Sequence, residues 1–177
     1  MNTTTTPKVY CGTYGKYNNG SIAGAWLELA DYADAAEFWK ACKELHKDED
    51  DAEYMFQDAE GLPEGTYSES GMDFDALIAY AQYTDEEREL VDAYLSATGE
   101  KLENNDILEV AEECLAFTED TSYSSMYKSF AEQVGYELLE GRQDIPDDLV
   151  NYIDYEQYGQ DELDNCAEAD GYAFRSY

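Results

Sequence analysis

The chain has 177 residues, 44% of them hydrophobic, which is enough for one to three small domains with cores of their own. Its 42 acidic and 10 basic side chains give a formal charge of −32. This charge excludes nucleic-acid binding through a basic face and attraction to an anionic membrane.

The acidic charge belongs entirely to the later part of the chain. Residues 1–47 hold five acids and five bases, whereas residues 48–177 hold 37 acids and five bases. The acids alternate with apolar and tyrosine positions, which a disordered acidic tail would lack. We therefore predict a folded acidic surface.

The first unit, residues 1–61, is predicted to be a ββαβ domain. Val9, Cys11 and Thr13 alternate on one strand face, and Phe38 and Cys42 share one helical stripe. The predicted elements are a strand at 8–14, a tight turn at 18–20, a strand at 21–29, a helix capped by Asp31 or Asp34 that runs to about Lys47, and a strand at 53–58.

The second unit, residues 62–117, is predicted to be helical and acidic, and the glycines and proline at 61–65 mark its start. Thr84 and Glu87 form a capping box, Gly99 suits a helix end, and Asn105 is available as a cap. The apolar positions of its three helices are Phe74, Leu77, Ile78 and Ala81, then Leu90, Val91, Tyr94 and Leu95, then Ile107, Val110, Ala111, Cys114 and Leu115.

The third unit, residues 118–177, is predicted to be an α/β domain. Its elements are a helix from about 125 to 139, a helix that starts near Pro146 and buries Leu149, Val150 and Ile153, and a hairpin that turns at Asp170–Gly171 between 163–168 and 172–177. The predicted fold class is α+β, in three small units.

The sequence offers no specific catalytic constellation, so we expect no enzyme, no metal and no cofactor. His46 is the one histidine, no nucleophile motif accompanies it, and its place near a helix end favours a partner of the helix dipole or a surface residue. The acids at 48–51 resemble the start of a calcium loop, but they lack the glycine at position six and the acid at position twelve, where Ala59 stands.

Residues 1–7 are polar, and no apolar run approaches the ~18 residues of a membrane span. We therefore expect a cytoplasmic protein. Its scattered cysteines are expected to be reduced, buried thiols; they are Cys11, Cys42, Cys114 and Cys166.

The 17 tyrosines, many beside acids, have two interpretations that stay open: half-buried packing positions or a protein-contact surface. The acids leave three hypotheses. The surface imitates DNA, it binds another basic protein, or it adapts an unrelated enzyme to high salt. At one charge per ~1.7 Å of duplex, 32 charges would imitate roughly 54 Å of DNA.

Three segments resemble a known family. Residues 14–26 contain Lys16-Tyr17-Asn18, Gly20, Gly24 and Trp26, which is similar to the N-terminal signature KYNxGxxxGxW of the ArdA antirestriction proteins. Residues 55–58 and 151–159 resemble two further family segments in the same order. Trp26 is expected in the core.

The resemblance implies a DNA mimic that binds type I restriction–modification enzymes, built as an elongated, curved chain that forms a homodimer through its C-terminal unit. It implies an interface at the antirestriction-type motif, namely at Asp154, Tyr155, Tyr158 and Gly159. Many relatives have arginine after this glycine, whereas this chain has Gln160.

A spread-out mimic depends on no single carboxylate, so the acidic surface is predicted as a set. It comprises Asp85, Glu86, Glu89, Asp92, Glu103, Asp106, Glu109, Glu112, Glu113, Glu119, Asp120, Asp147 and Asp148.

Overall fold

A computed structural model describes residues 5–103, 106–120, 126–140, 142, 144–146 and 148–175. These residues form seven helices and two three-stranded antiparallel sheets, which confirms the α+β class. The strands are β1 (Lys8–Thr13), β2 (Ala25–Glu28), β3 (Tyr54–Glu60), β4 (Leu115–Thr118), β5 (Cys166–Ala169) and β6 (Tyr172–Arg175). The helices are α1 (Tyr14–Asn18), α2 (Ala35–Leu45), α3 (Phe74–Gln82), α4 (Asp85–Thr98), α5 (Ile107–Cys114), α6 (Phe130–Leu139) and α7 (Tyr155–Leu163).

The first sheet has the order β2–β1–β3, and the three predicted strands are confirmed. Lys8 pairs with Glu28 on one side and with Glu60 on the other. Val9, Cys11 and Thr13 are fully buried, as their alternation predicts. The cap of α2 is Asp34, which accepts a hydrogen bond from the Glu37 amide at 2.9 Å.

The predicted hairpin is confirmed, because β1 and β2 pair antiparallel and a turn lies at residues 19–20, but the first strand does not continue directly into that turn. The chain forms the short helix α1 instead, because Thr13 caps it by accepting a hydrogen bond from the Lys16 amide at 3.1 Å. Gly20, at φ +79°, then closes a turn after the helix. The second strand begins at Ala25, later than predicted.

An aromatic cluster joins the first sheet to the helices that follow it. Phe38 of α2 stacks on Phe74 of α3 at 4.2 Å between ring centroids, and Phe56 of β3 lies 4.8 Å from Phe74. This core continues through α4 and α5 to Phe174 of β6, whose ring lies 5.3 Å from that of Tyr94. The predicted division at residues 1–61, 62–117 and 118–177, like the elongated shape, stays a prediction.

The second sheet has the order β4–β6–β5, and its β5–β6 hairpin confirms the turn predicted at Asp170–Gly171. Both turn residues have positive φ, +49° and +80°, as tight hairpin turns require. The predicted third helix ends earlier than expected, since Leu115 begins β4. Sequence reasoning did not predict this strand.

The segment between β4 and the last hairpin differs most from expectation. The predicted start of a helix near 125 and the cap Asn105 lie outside the described residues; α6 begins at Phe130, with Ser129 as its cap. Residues 150–152 form one 3₁₀ turn, so the helix with a buried stripe predicted after Pro146 is wrong. A helix that was not predicted, α7, follows, and Asp154 caps it.

Helices α6 and α7 cross at glycine-to-backbone contacts. A Cβ atom at Gly159 would lie 1.8 Å from the Ala131 carbonyl oxygen, and one at Gly135 would lie 1.9 Å from that of Tyr155. Both positions therefore exclude a side chain. This crossing covers a small second core that contains Val134, Leu163 and Ala173.

Candidate functional surface

Helix α4 is held at both ends by the local interactions that its sequence predicts. Thr84 and Glu87 form the reciprocal capping box, and Gly99 ends the helix in a left-handed conformation at φ +72°. The Thr84 amide donates to the Glu87 carboxylate, which lowers the pKa of that carboxyl. The helix therefore presents its outward acids, which include Glu86 and Glu89, in fixed positions.

Two predicted acids of α4 have partners inside the chain. Asp85 forms an ion pair with Arg88, whose Nη1 also donates to the Tyr83 carbonyl at 2.8 Å. Asp92 is half-buried and accepts a hydrogen bond from the hydroxyl of the buried Tyr80, at 2.9 and 3.0 Å from its two oxygens. Burial raises the pKa of Asp92 despite this hydrogen bond.

Helix α5 separates an apolar face from an acidic one. Ile107 and Ala111 are buried in the first core, whereas Glu109, Glu112 and Glu113 are exposed. A spacing of three and four residues places the three carboxylates on one side of the helix. The helix contains no lysine or arginine, so this face carries its full negative charge.

The other predicted acids that the structure describes are exposed but lie on connecting segments. Glu119 and Asp120 follow β4, where the Glu119 amide donates to the Gly171 carbonyl at 2.6 Å. Asp147 lies outside the described residues. The remaining three, all exposed, are Glu103, Asp106 and Asp148.

The predicted interface residues all lie on α7 or at its start. Asp154 caps the helix by accepting from the Gln157 amide at 3.1 Å, and Gly159 is buried against α6. Tyr155 stacks on Tyr136 of α6, with ring centroids 3.8 Å apart and planes within 4°. Tyr158 is half-buried, and the nearby Gln160 donates to Asp164 at 2.9 Å.

An exposed apolar patch lies beside these residues, and we call it the C-terminal apolar patch. It comprises Tyr136, Leu149, Val150 and Tyr152, and Tyr152 is 85% exposed. Sequence reasoning placed Leu149 and Val150 in a buried stripe. The available signal was the shortness of the stripe, since it spans only residues 149–153, whereas a helix usually has at least ~10–12 residues.

Two of the acids at 48–51, Asp48 and Glu49, form ion pairs with the ammonium of Lys16. His46, Asp48 and Glu49 offer ligand atoms within 4.8 Å of one another, but the Lys16 ammonium lies 2.9 Å from Asp48 and 3.0 Å from His46 Nδ1. The acidic partners raise the pKa of Lys16. His46 lies at the C-terminal end of α2, as predicted, but it is buried, so a surface position is wrong.

Trp26 is 37% exposed, so its predicted place in the core is wrong. It lies on the open face of the first sheet, where its ring contacts Tyr10 at 5.6 Å and the Lys8 ammonium lies 4.8 Å from its centroid. Cys11, Cys42 and Cys114 are free and buried, as predicted, and Cys166 is free and partly buried.

In the described parts of the chain, no helix combines the length and the apolar character that crossing a membrane requires.

Comparison with known proteins identifies the family. No curated protein matches the sequence. A family model described as antirestriction protein (ArdA) matches residues 9–174, from the first strand to the last. The chain therefore belongs to the ArdA family of antirestriction proteins.

Proposed function

We propose that this antirestriction protein is a DNA mimic. Its acidic surface occupies the DNA-binding groove of type I restriction–modification enzymes and excludes DNA by competition. The observation that carries the proposal is the unneutralised acidic face of α5, next to the acidic N-terminal half of α4.

The spacing of charge along these helices supports the proposal. Helix α5 has 8 residues and three acids, which is one charge per about 4 Å of helix axis. Helix α4 has 14 residues, five acids and one arginine, or one net charge per about 5 Å. One strand of B-DNA carries a charge every ~3.4 Å. Each helix thus approaches the linear charge density of one DNA strand.

Inhibition by such a surface makes and breaks no covalent bond. Carboxylates fixed on capped helices meet the lysines and arginines that otherwise contact phosphates. The long-range field makes the encounter fast, and added salt slows and weakens it. The protein acts because it fills the groove, so its effect ends when it dissociates.

We infer that the protein acts as a homodimer through the C-terminal apolar patch together with the Asp154–Gly159 segment. An exposed aromatic patch on a soluble acidic chain favours association, because burying it removes apolar surface from water. The stacked pair Tyr136–Tyr155 is a rigid platform for such a contact. A twofold dimer would double the length of the mimicked duplex to about 110 Å.

The decisive experiment titrates the purified protein into a type I enzyme and its DNA, and follows cleavage, methylation and DNA occupancy together. We expect loss of DNA binding in proportion to loss of activity, relieved by excess duplex and weakened by salt. Unstructured polyglutamate of equal net charge is the control, and it should inhibit far less. Inhibition that saturating DNA cannot relieve would contradict a shared groove.

Solution scattering tests the shape. A compact chain of 177 residues has a radius of gyration of about 16 Å, and a globular dimer about 20 Å. We expect a clearly larger value, because an extended rod is needed to follow a DNA groove. A measured radius of gyration at these compact values would contradict an elongated shape.

A further inference from the structure

A cleft of about 710 Å³ opens beside the acidic surface, between the 62–66 segment, helices α3 and α4, and the residues that follow α4. Its apolar lining includes Leu77, Leu95 and Leu102, which are 1%, 7% and 5% exposed. Six acids line it against one base, Lys101. The acids are Glu64, Asp73, Asp92, Glu100, Glu103 and Asp170.

Asp92 is a carboxylate of this cleft that the fold holds in place. The buried Tyr80 fixes it from behind with a hydroxyl that donates to both oxygens. Burial raises the pKa of Asp92, and the neighbouring charge of Asp170 raises it further. The fold therefore disfavours the ionised form of Asp92, and a carboxylate held by Tyr80 in a cleft in spite of this points to function rather than stability.

The combination of an apolar lining and an acidic rim selects the chemistry of the occupant. A lysine or arginine side chain has an apolar stem and a charged end, so its end can meet the carboxylates while its stem covers the small part of the leucines that stays accessible. The cleft volume falls within the ~300–1,000 Å³ range of ligand sites, which is ample for one long side chain.

The surface that would supply this side chain follows from the proposed function. DNA-binding surfaces project lysines and arginines towards phosphates, and Asp92 and Glu103 belong both to the predicted acidic surface and to the cleft. An exposed carboxylate imitates a phosphate on a flat surface. A cleft attracts a cation more strongly than a flat surface does, because it encloses the cation and removes it from water.

We propose that this cleft receives one lysine or arginine side chain from the DNA-binding surface of the target enzyme, with Asp92 as its carboxylate partner. The inference rests on the proposed function and adds a defined contact to it. The contact gives the mimic specificity, because a basic surface without a projecting side chain at this place would not fill the cleft.

Three variants test the contact in the full-length protein. Asp92→Asn removes the charge in the cleft, and Glu89→Gln removes one exposed charge from the same helix, three residues earlier. Ser96→Trp fills the cleft without a change of charge, since Ser96 lines it from an exposed position on α4. Circular dichroism and urea denaturation verify that each variant is folded.

The readout is the affinity for a type I enzyme by competition with labelled duplex. We expect at least tenfold weaker binding for Asp92→Asn and for Ser96→Trp, and less than threefold for Glu89→Gln. Equal effects of the Asp92 and Glu89 variants, or no effect of Ser96→Trp, would refute the proposed side-chain contact in the cleft. Neither result would contradict DNA mimicry itself. Failure of the unaltered protein to compete with duplex would instead refute the proposed function.

Discussion

The acidic face of α5 allows stability and function to be separated by one substitution, Glu113→Lys. In the present helix Glu109 and Glu113 are four residues apart, and like charges at this spacing destabilise a helix by about 0.2–0.5 kcal/mol. The substitution turns this repulsion into a favourable pair of similar size, with the acid on the N-terminal side. A lysine in the last turn also interacts with the helix dipole, for about 0.3–1 kcal/mol.

Together these terms predict that Glu113→Lys raises the free energy of unfolding by about 1 kcal/mol at low salt. Urea denaturation measures this change. The same substitution should weaken inhibition at least tenfold, because it places a cation opposite the basic groove of the enzyme. Like charges that meet in an interface are strongly unfavourable. Glu69→Lys is the control: it makes the same change in net charge on an exposed loop outside the predicted surface.

Three outcomes would refute this reasoning. A stabilised Glu113→Lys protein that inhibits like the unaltered one would show that the α5 face does not meet the enzyme. Equal losses for the Glu113 and Glu69 variants would mean that total charge, rather than this face, determines affinity. A less stable Glu113→Lys protein would show that repulsion on α5 is not the relevant energy.

Three further predictions concern other parts of the fold. Gly159→Ala should destabilise the protein by about 1–3 kcal/mol or more in urea denaturation, because its Cβ meets the Ala131 carbonyl, whereas the neighbouring exposed Gln160→Ala should change stability by less than about 0.5 kcal/mol. Because burial raises the pKa of Asp92, its ionised form opposes folding above the raised pKa and not below the ordinary value; Asp92→Asn should therefore gain stability relative to the unaltered protein as the pH rises above the ordinary value, and a gain that shrinks with pH would contradict this. Tyr152→Ser should weaken the dimer at least tenfold in sedimentation equilibrium without loss of helix content, and an unchanged dimer would place the interface elsewhere.

Local signals in the sequence predicted most of the elements. The capping box at Thr84, the left-handed position at Gly99 and the turn at Asp170–Gly171 each fix the backbone through neighbours in sequence. The alternation around Val9 likewise identified a strand with one buried face. Interactions of this kind depend on residue types a few positions apart, so a single sequence reveals them.

Elements that depend on distant partners were missed for the same reason. The strand β4 is short and forms because β6, more than 50 residues later, pairs with it. Helix α7 contains Gly159, which lowers helix propensity but permits close packing on α6. Lys16 hydrogen-bonds the buried His46, 30 residues away, so no local pattern could show that this histidine is inside.

The sequence predicts the charge of the candidate surface but not the arrangement of its residues in space. The excess of acids after residue 47 indicates an acidic surface, and the α5 pattern shows which side faces water. The cleft could not be predicted, because residues 62–66, α4 and Asp170 meet there only in the folded chain. In the sequence Asp92 resembles any exposed helix acid, because its hydrogen bond with Tyr80 forms only in the folded chain.

The placement of the few cations distinguishes a mimic from a protein adapted to salt. In the described residues, Arg88 and Lys128 each neutralise an acid within one helical turn, whereas no base lies within α5. Salt adaptation would need no such distinction, and it predicts that the fold itself gains stability steeply up to molar salt. DNA mimicry predicts a different dependence of stability on salt. At 1 M salt, screening should erase the stability difference between Glu113→Lys and the unaltered protein, since charges then interact over only about 3 Å. At low salt both proteins should remain folded. Unfolding of the unaltered protein at low salt would therefore favour adaptation, and a folded, strongly inhibiting protein under the same conditions would favour the mimic.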